Sequence, residues 1–177
     1  MSRRSRPDIR AKLPETLRSK PGLRDLDAYA KLFGDARIAD FLWPGERGGP
    51  RTVEQAHAML EADTTHWEAH GFGPWLYRLA DGAPAARGGL WRTVVDGTAE
   101  TEVQYAVASA LWRRGLATEI AREAVREAFD SLGIGNLVCF TLPDNTGSRR
   151  VMENAGFEYE RDVMRSGLEH VLYRRKR

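Results

Sequence analysis

Leu111 to Gly133 reads LWRRGLATEIAREAVREAFDSLG, a short basic turn that contains a glycine and opens directly into a long amphipathic helix. Gly115 has no Cβ and Ala117 almost no side chain, so backbone N–H groups at the start of the helix can close on an anion such as a phosphate. Arg113 and Arg114 flank the turn and add charge-assisted hydrogen bonds. Ala121, Ala124, Val125, Ala128 and Leu132 recur at helical spacing, which predicts the stripe that this helix buries. Just upstream, TEVQYAV (Thr101 to Val107) alternates Val103, Tyr105 and Val107 against Glu102, Gln104 and Ala106, the period of a strand. Strand, turn and helix in this order put a ligand's phosphates at the helix N-terminus and its tail along the strand.

Two familiar phosphate-binding patterns are absent. No G-x-x-x-x-G-K-[ST] string occurs, and Gly133 and Gly135 follow a helix instead of opening one, so neither a P-loop nor a dinucleotide fingerprint is present. What remains is a shorter turn suited to a pyrophosphate.

Working outward, Leu137 to Thr141 (LVCFT) is a continuous apolar run of the kind found in central strands, with Cys139 expected in the core. After it comes PDNTGSRRVMENAGF, Pro143 to Phe157: Asn145 sits in a turn, a helix begins near Thr146, and Gly156 stops it. Upstream, WLYRLA, ARGGLWR and TEVQYAV are separated by turn-forming DGAP and VDGT and read as an antiparallel meander. Thr52 and Gln55 form a capping box for a helix that carries Val53, Ala56, Leu60 and Trp67 on one face and stops at Gly71. His66 and His70 stand at i and i+4 in that helix, but HWEAH places its Glu wrongly for H-E-x-x-H and no third ligand is evident, so no metal is expected. Asp25 to Phe33 reads as a helix ended by Gly34, and Thr16 to Lys20 as a strand. Phe41 to Pro50 (FLWPGERGGP) reads as a loop whose large side chains either border a substrate pocket or plug the core edge.

Composition bounds the class. A chain of 177 residues with 42% hydrophobic content fits one domain, expected over residues 15–177 behind a flexible basic tail at 1–14. Lys and Arg number 27 against 25 Asp and Glu, a net charge of +2, so there is no global electrostatic case for nucleic acid. The single cysteine excludes an internal disulfide framework and fits the cytoplasm. The twin arginine near the start is followed by no apolar run, and no segment approaches the length of a membrane span, so neither export nor a membrane is expected.

LWRRGLATE resembles motif A of the GNAT superfamily of acyl-CoA N-acyltransferases, in its RimJ/RimL-type branch, where a [QR]-x-x-G-x-[GA] turn binds the pyrophosphate of coenzyme A. Gly115 and Ala117 match, while Trp112 stands where Gln or Arg is usual, as is common in this branch. The second stretch resembles motif B, P-x-N-x-x-S-x-x-V-x-x-x-x-G-F, with Pro143, Asn145, Ser148, Val151, Gly156 and Phe157 all in place. HGFGPW (His70 to Trp75) and a terminal hairpin from Phe157 to Tyr173 extend the likeness to almost the whole chain after Glu15.

The resemblance implies an α+β domain with a mixed, mostly antiparallel central sheet, flanked by helices and splayed between Thr101–Val107 and Leu137–Thr141, where acyl-CoA wedges in. By the same resemblance acetyl-CoA is the co-substrate. Tyr105, Ala106 and Val107 would contact its pantetheine arm through the backbone, Asn145 through its side chain, and Arg113, Arg114, Gly115, Leu116, Ala117 and Thr118 would hold the pyrophosphate. The splay suits a peptide-like guest, because it leaves backbone N–H and C=O groups for the guest to satisfy.

The implied reaction is direct attack of an amine on the thioester through a tetrahedral intermediate, with CoA thiolate leaving. Deprotonating a lysine-type amine costs about 4.6 kcal/mol at pH 7 and an α-amino group about 1.4 kcal/mol. Glu102 is the candidate base, acting directly or through water, with Glu100 as the fallback; a solvated strand carboxylate is the alternative for Glu102. Many superfamily members carry a Tyr as general acid where this chain has Met152, which leaves the Ser148 hydroxyl either to protonate the thiolate or merely to hydrogen-bond near the helix start. The acceptor is a protein N-terminal amine, as for ribosomal proteins, or a small-molecule amine, with the α-amino group favoured; Phe41 to Trp43 and the hairpin near Gly167 would border it. A non-catalytic acyl-CoA-binding module of the same fold is the competing class, and a homodimer stays open.

Overall fold

Ladder pairing fixes most of the sheet on its two outer flanks and leaves the middle open. The computed structural model describes residues 16–45 and 48–177, so the expected tail at 1–14, together with Glu46 and Arg47 of the Phe41–Pro50 stretch, lies outside the described residues. Strands β1 (Thr16–Ser19), β2 (Pro74–Leu79), β3 (Pro84–Val95), β4 (Thr98–Val107), β5 (Asn136–Thr141), β6 (Glu158–Arg165) and β7 (Leu168–Lys176) form one seven-stranded sheet in the order β1-β2-β3-β4-β5-β7-β6. Every neighbouring pair is antiparallel except β4 with β5, which is parallel. The meander β2-β3-β4 and the terminal hairpin β6-β7 are those expected from the alternation and turn residues.

Helices α1 (Leu26–Phe33), α2 (Ala36–Leu42), α3 (Val53–His70), α4 (Leu116–Arg126) and α5 (Thr146–Asn154) cover both faces. Tyr29, Phe33, Ile38 and Leu60 pack with Ala106 of β4 on one face. On the other, α4 packs through Ala121, Ala124 and Val125 with Val103, and Met152 of α5 joins the same cluster. The alternation read along β4 is therefore an alternation between two covered faces.

Three local expectations change. Phe41 and Leu42 close helix α2 instead of lying in a loop, because Asp35 caps its start by accepting from Arg37 N at 2.9 Å. Val53 is 55% exposed at the first turn of α3. Leu132 is 38% exposed, because α4 runs into a π turn at Glu127–Ser131 in which Leu132 N bonds Glu127 O at 3.1 Å; the wider turn rotates Phe129 inward and Leu132 outward.

The approach of α4 to the sheet depends on Gly88 of β3. A Cβ there would stand 2.6 Å from Ile120 Cγ2 and 2.8 Å from Gln104 O, so helix and strand leave no room for a methyl group. Gly88→Ala is expected to destabilise the fold by about 1–3 kcal/mol in urea unfolding, the usual magnitude for overpacking. Gly22→Ala, with nothing within 4 Å of its Cβ, serves as the neutral control.

Candidate active site

β4 and β5 share a single register pair, Glu102 with Val138. Each is held along its other edge, β4 by β3 from Thr98 to Val107 and β5 by β7 from Asn136 to Thr141. Beyond Glu102 the two strands part and leave their facing edges without ladder bonds, which is the predicted splay. The Val103 carbonyl at the fork accepts from the Cys139 thiol at 3.0 Å. Burial drives the Cys139 pKa up, so the thiol is a donor in the core and not a nucleophile.

At the end of β4 the chain curls into the basic turn. Arg113 and Gly115 take positive φ values of 62° and 83°, and Gly115 is the N-cap of α4. Side chains cap α2, α3 and α5 through Asp35, Thr52 and Asn145, whereas the N-terminus of α4 has no side-chain cap. Its first N–H groups, at Leu116, Ala117 and Thr118, are those that a helix leaves without internal acceptors. Arg113 and Arg114 are exposed beside them. Trp112 donates from Nε1 to Val107 O at 2.7 Å and meets Phe41 edge-on at 5.8 Å, tying the turn to the end of the strand.

The two candidate catalytic groups stand on opposite faces. Glu102, 8% exposed, shares its face with Gln104 and with Trp91, its register partner. Gln104 Nε2 donates to Glu102 Oε2 at 3.1 Å, and Arg165 Nη2 stands 3.5 Å from the same oxygen. Oε1 has no partner among the described residues. Burial raises the Glu102 pKa, opposed by the Arg165 charge and the Gln104 hydrogen bond, so Glu102 is no solvated strand carboxylate. Glu100 is differently placed: its two oxygens accept from Arg174 Nη1 and Asn136 Nδ2, each at 2.8 Å. Such a carboxylate is tied up structurally, which removes the reason to hold it as a fallback.

On the face of α4, Tyr105 and Ser148 share a hydrogen bond at 2.8 Å between hydroxyls. Burial lifts the Tyr105 pKa well above normal, so its hydroxyl keeps its proton. Asn145 Oδ1 accepts from Ser148 N at 3.0 Å, which leaves the Asn145 NH₂ as its donor toward a ligand. Met152 is buried in the core and brings no hydroxyl here.

Four residues at the site were not singled out in the sequence: Asp63, Arg87, Gln104 and Arg165. Asp63 had a signal, because it falls three residues after Leu60 and four before Trp67, a charge on an otherwise apolar face. The histidine pair has an ordinary role. His66 donates from Nδ1 to Phe72 O and accepts from Arg92 N at Nε2, both at 2.9 Å, so neither ring nitrogen is left for a metal.

The sequence model of the Acetyltransferase (GNAT) domain matches residues 16–158. The chain belongs to the GNAT acetyltransferase family. It is 39% identical over 124 residues to the FsC-acetyl coenzyme A-N(2)-transacetylase of Aspergillus fumigatus, a match that covers 63% of this chain and 50% of that protein. The chain thus spans about half the length of this curated relative. Its fold is similar to that of a structure from Bordetella pertussis named as a GnaT-family acetyltransferase, with a TM-score of 0.76 and 25% identity over 90% of this chain and 95% of that one. It is also similar to Mycobacterium smegmatis RimJ, solved in complex with CoA-disulfide, with a TM-score of 0.73 and 18% identity over 91% and 81% of the two chains.

The environment of Glu102 has a consequence for stability. With its folded pKa raised, this group contributes fully to stability below its unfolded pKa of about 4.3, and the contribution is lost as pH rises through the folded value. Glu102→Gln abolishes that loss. The melting temperature of the variant should therefore gain on wild type as pH increases from about 4 to about 8, and a variant that loses ground to wild type over this range would contradict the burial argument.

Proposed function

We propose that the chain is an acetyl-CoA-dependent N-acetyltransferase of RimJ/RimL type that acetylates an α-amino group, with Glu102 as base and Ser148 as donor to the departing thiolate. One observation carries the reading: β4 and β5 share only the Glu102–Val138 pair, and the opening beyond it has Glu102 on one face of the sheet and Ser148 on the other. Acetyl-CoA fits the α4 side, where an uncapped helix N-terminus follows two positive-φ residues and two exposed arginines. Arg113 to Thr118 hold the pyrophosphate there. The unpaired edge of Tyr105 to Val107 and the Asn145 amide bind the pantetheine arm as a strand would.

The amine approaches from the face of Glu102. Oε1, which carries neither the Gln104 nor the Arg165 contact, takes a proton from the amine directly or through a water, and the freed nitrogen lone pair attacks the thioester carbon. The C–N bond forms and the C–S bond breaks, the nitrogen releases its second proton to solvent as the amide forms, and Ser148 donates a hydrogen bond to the departing thiolate while Tyr105 donates to Ser148 from behind. An α-amino acceptor asks less of a single carboxylate than a lysine does, by about 3 kcal/mol at pH 7. The name of the Aspergillus relative, a coenzyme A-N(2)-transacetylase, describes acetyl transfer from coenzyme A to a nitrogen. A lone cysteine kept as a buried thiol suits the cytoplasm.

Acetyl-CoA is expected to raise the melting temperature of the wild type, and Gly115→Glu to abolish the shift by placing a carboxylate where phosphate and backbone must meet. An undiminished shift in that variant would refute the pyrophosphate assignment. With released CoA as readout, a peptide with a free N-terminus and no lysine should be acetylated in preference to its N-blocked, lysine-bearing counterpart. The reverse preference would overturn the α-amino reading.

A further inference from the structure

Behind Glu102 a chain of buried polar groups runs from α1 to β4. Asp63 on α3 is 1% exposed, and Arg87 of β3 grips it bidentately, Nη2 to Oδ1 at 2.6 Å and Nε to Oδ2 at 2.9 Å. The Tyr29 hydroxyl on α1 donates to the same Oδ2 at 2.5 Å. The remaining nitrogen of the fork, Arg87 Nη1, donates to Gln104 Oε1 at 2.7 Å, and Gln104 Nε2 donates on to Glu102 Oε2.

A guanidinium can only donate, and an ionised carboxylate can only accept. An amide between them bridges in one orientation, oxygen toward Arg87 and nitrogen toward Glu102. Without Arg87 the amide is free to turn over and present its oxygen to the carboxylate, which repels the ionised form. We propose that Asp63 and Arg87 are positioning residues for the Glu102 base, acting through the side-chain amide of Gln104. This rests on the reading of Glu102 as base. The chain holds Oε2 of Glu102 in place, keeps the carboxylate ionised, and turns Oε1 to the amine. A purely structural ion pair would explain the tie between α3 and the sheet, but it gives no reason for the extension through Gln104, and a buried pair is in any case weak evidence for stability.

The other charged and titratable groups around Glu102 are accounted for. Arg165 approaches from β6, the neutral Cys139 thiol from β5, and His66 stacks on Trp91, the register partner of Glu102. Glu100, two residues back on β4, is paired with Arg174.

Gln104→Met tests the link while leaving the Asp63–Arg87 pair intact. Carbon-13 NMR titration of glutamate carboxyls follows Glu102 directly, its signal being the one lost in Glu102→Gln. In Gln104→Met the Glu102 midpoint is expected to rise by about one pH unit, so that kcat at the wild-type midpoint falls about fivefold, with KM for acetyl-CoA unchanged. Asp63→Asn with Arg87→Met, which removes both charges together, should shift the midpoint alike, and adding Gln104→Met should shift it no further. If the paired variant does not fold, Gln104→Met decides alone. An unmoved midpoint in Gln104→Met, or shifts that add in the triple variant, would overturn the positioning role. Wild-type turnover in Glu102→Gln would instead remove the base itself, an outcome independent of the titrations.

Discussion

Two strands that run side by side for one residue pair and then part impose the rest of this architecture. Backbone N–H and C=O groups removed from water need partners, and a gap in the middle of a sheet is where they lack them. β4 and β5 tolerate the gap because each is held along its full length on the far side, by β3 and by β7. The opening therefore has a fully paired strand at each wall.

That geometry separates the chemistry spatially. Along β4, residues two apart share a face, so Glu102 and Gln104 look toward α1 and α3 while Val103 and Tyr105 look toward α4. The Glu102 carboxylate and the Ser148 hydroxyl thus lie on opposite sides of the sheet, one carried by β4 and the other by α5, beyond β5 in the chain. The carboxylate on this strand is buried at the expense of its ionised form, and Arg165 and Gln104 oppose that penalty without cancelling it.

Local chemistry was legible in the sequence. The helix starts at Thr52 and near Asn145, the stop at Gly71, the meander and the basic turn all follow from residues close together in the chain, and they stand where the letters put them. What escaped depends on contacts between distant segments. Helix α2 is short and has no apolar period long enough to read, and its cap Asp35 also accepts from Ser109, 74 residues away. Leu132 obeys the helical period in sequence, but the period changes where the π turn begins. Arg87 and Arg165 look like surface arginines until their carboxylate partners arrive from α3 and β4. The resemblance to the family supplied the splay, which no local pattern predicts.

The sheet order has a temporal side. β7, the last strand in the chain, lies between β5 and β6, so β5 has one register partner on β4 and six on β7. As the chain emerges from the ribosome, β1 to β4 can pair while the far wall of the opening still lacks the strand that fixes it. The opening is consequently completed only after β7 has paired, and a truncation that removes the β6-β7 hairpin takes away the strand that holds β5 in place.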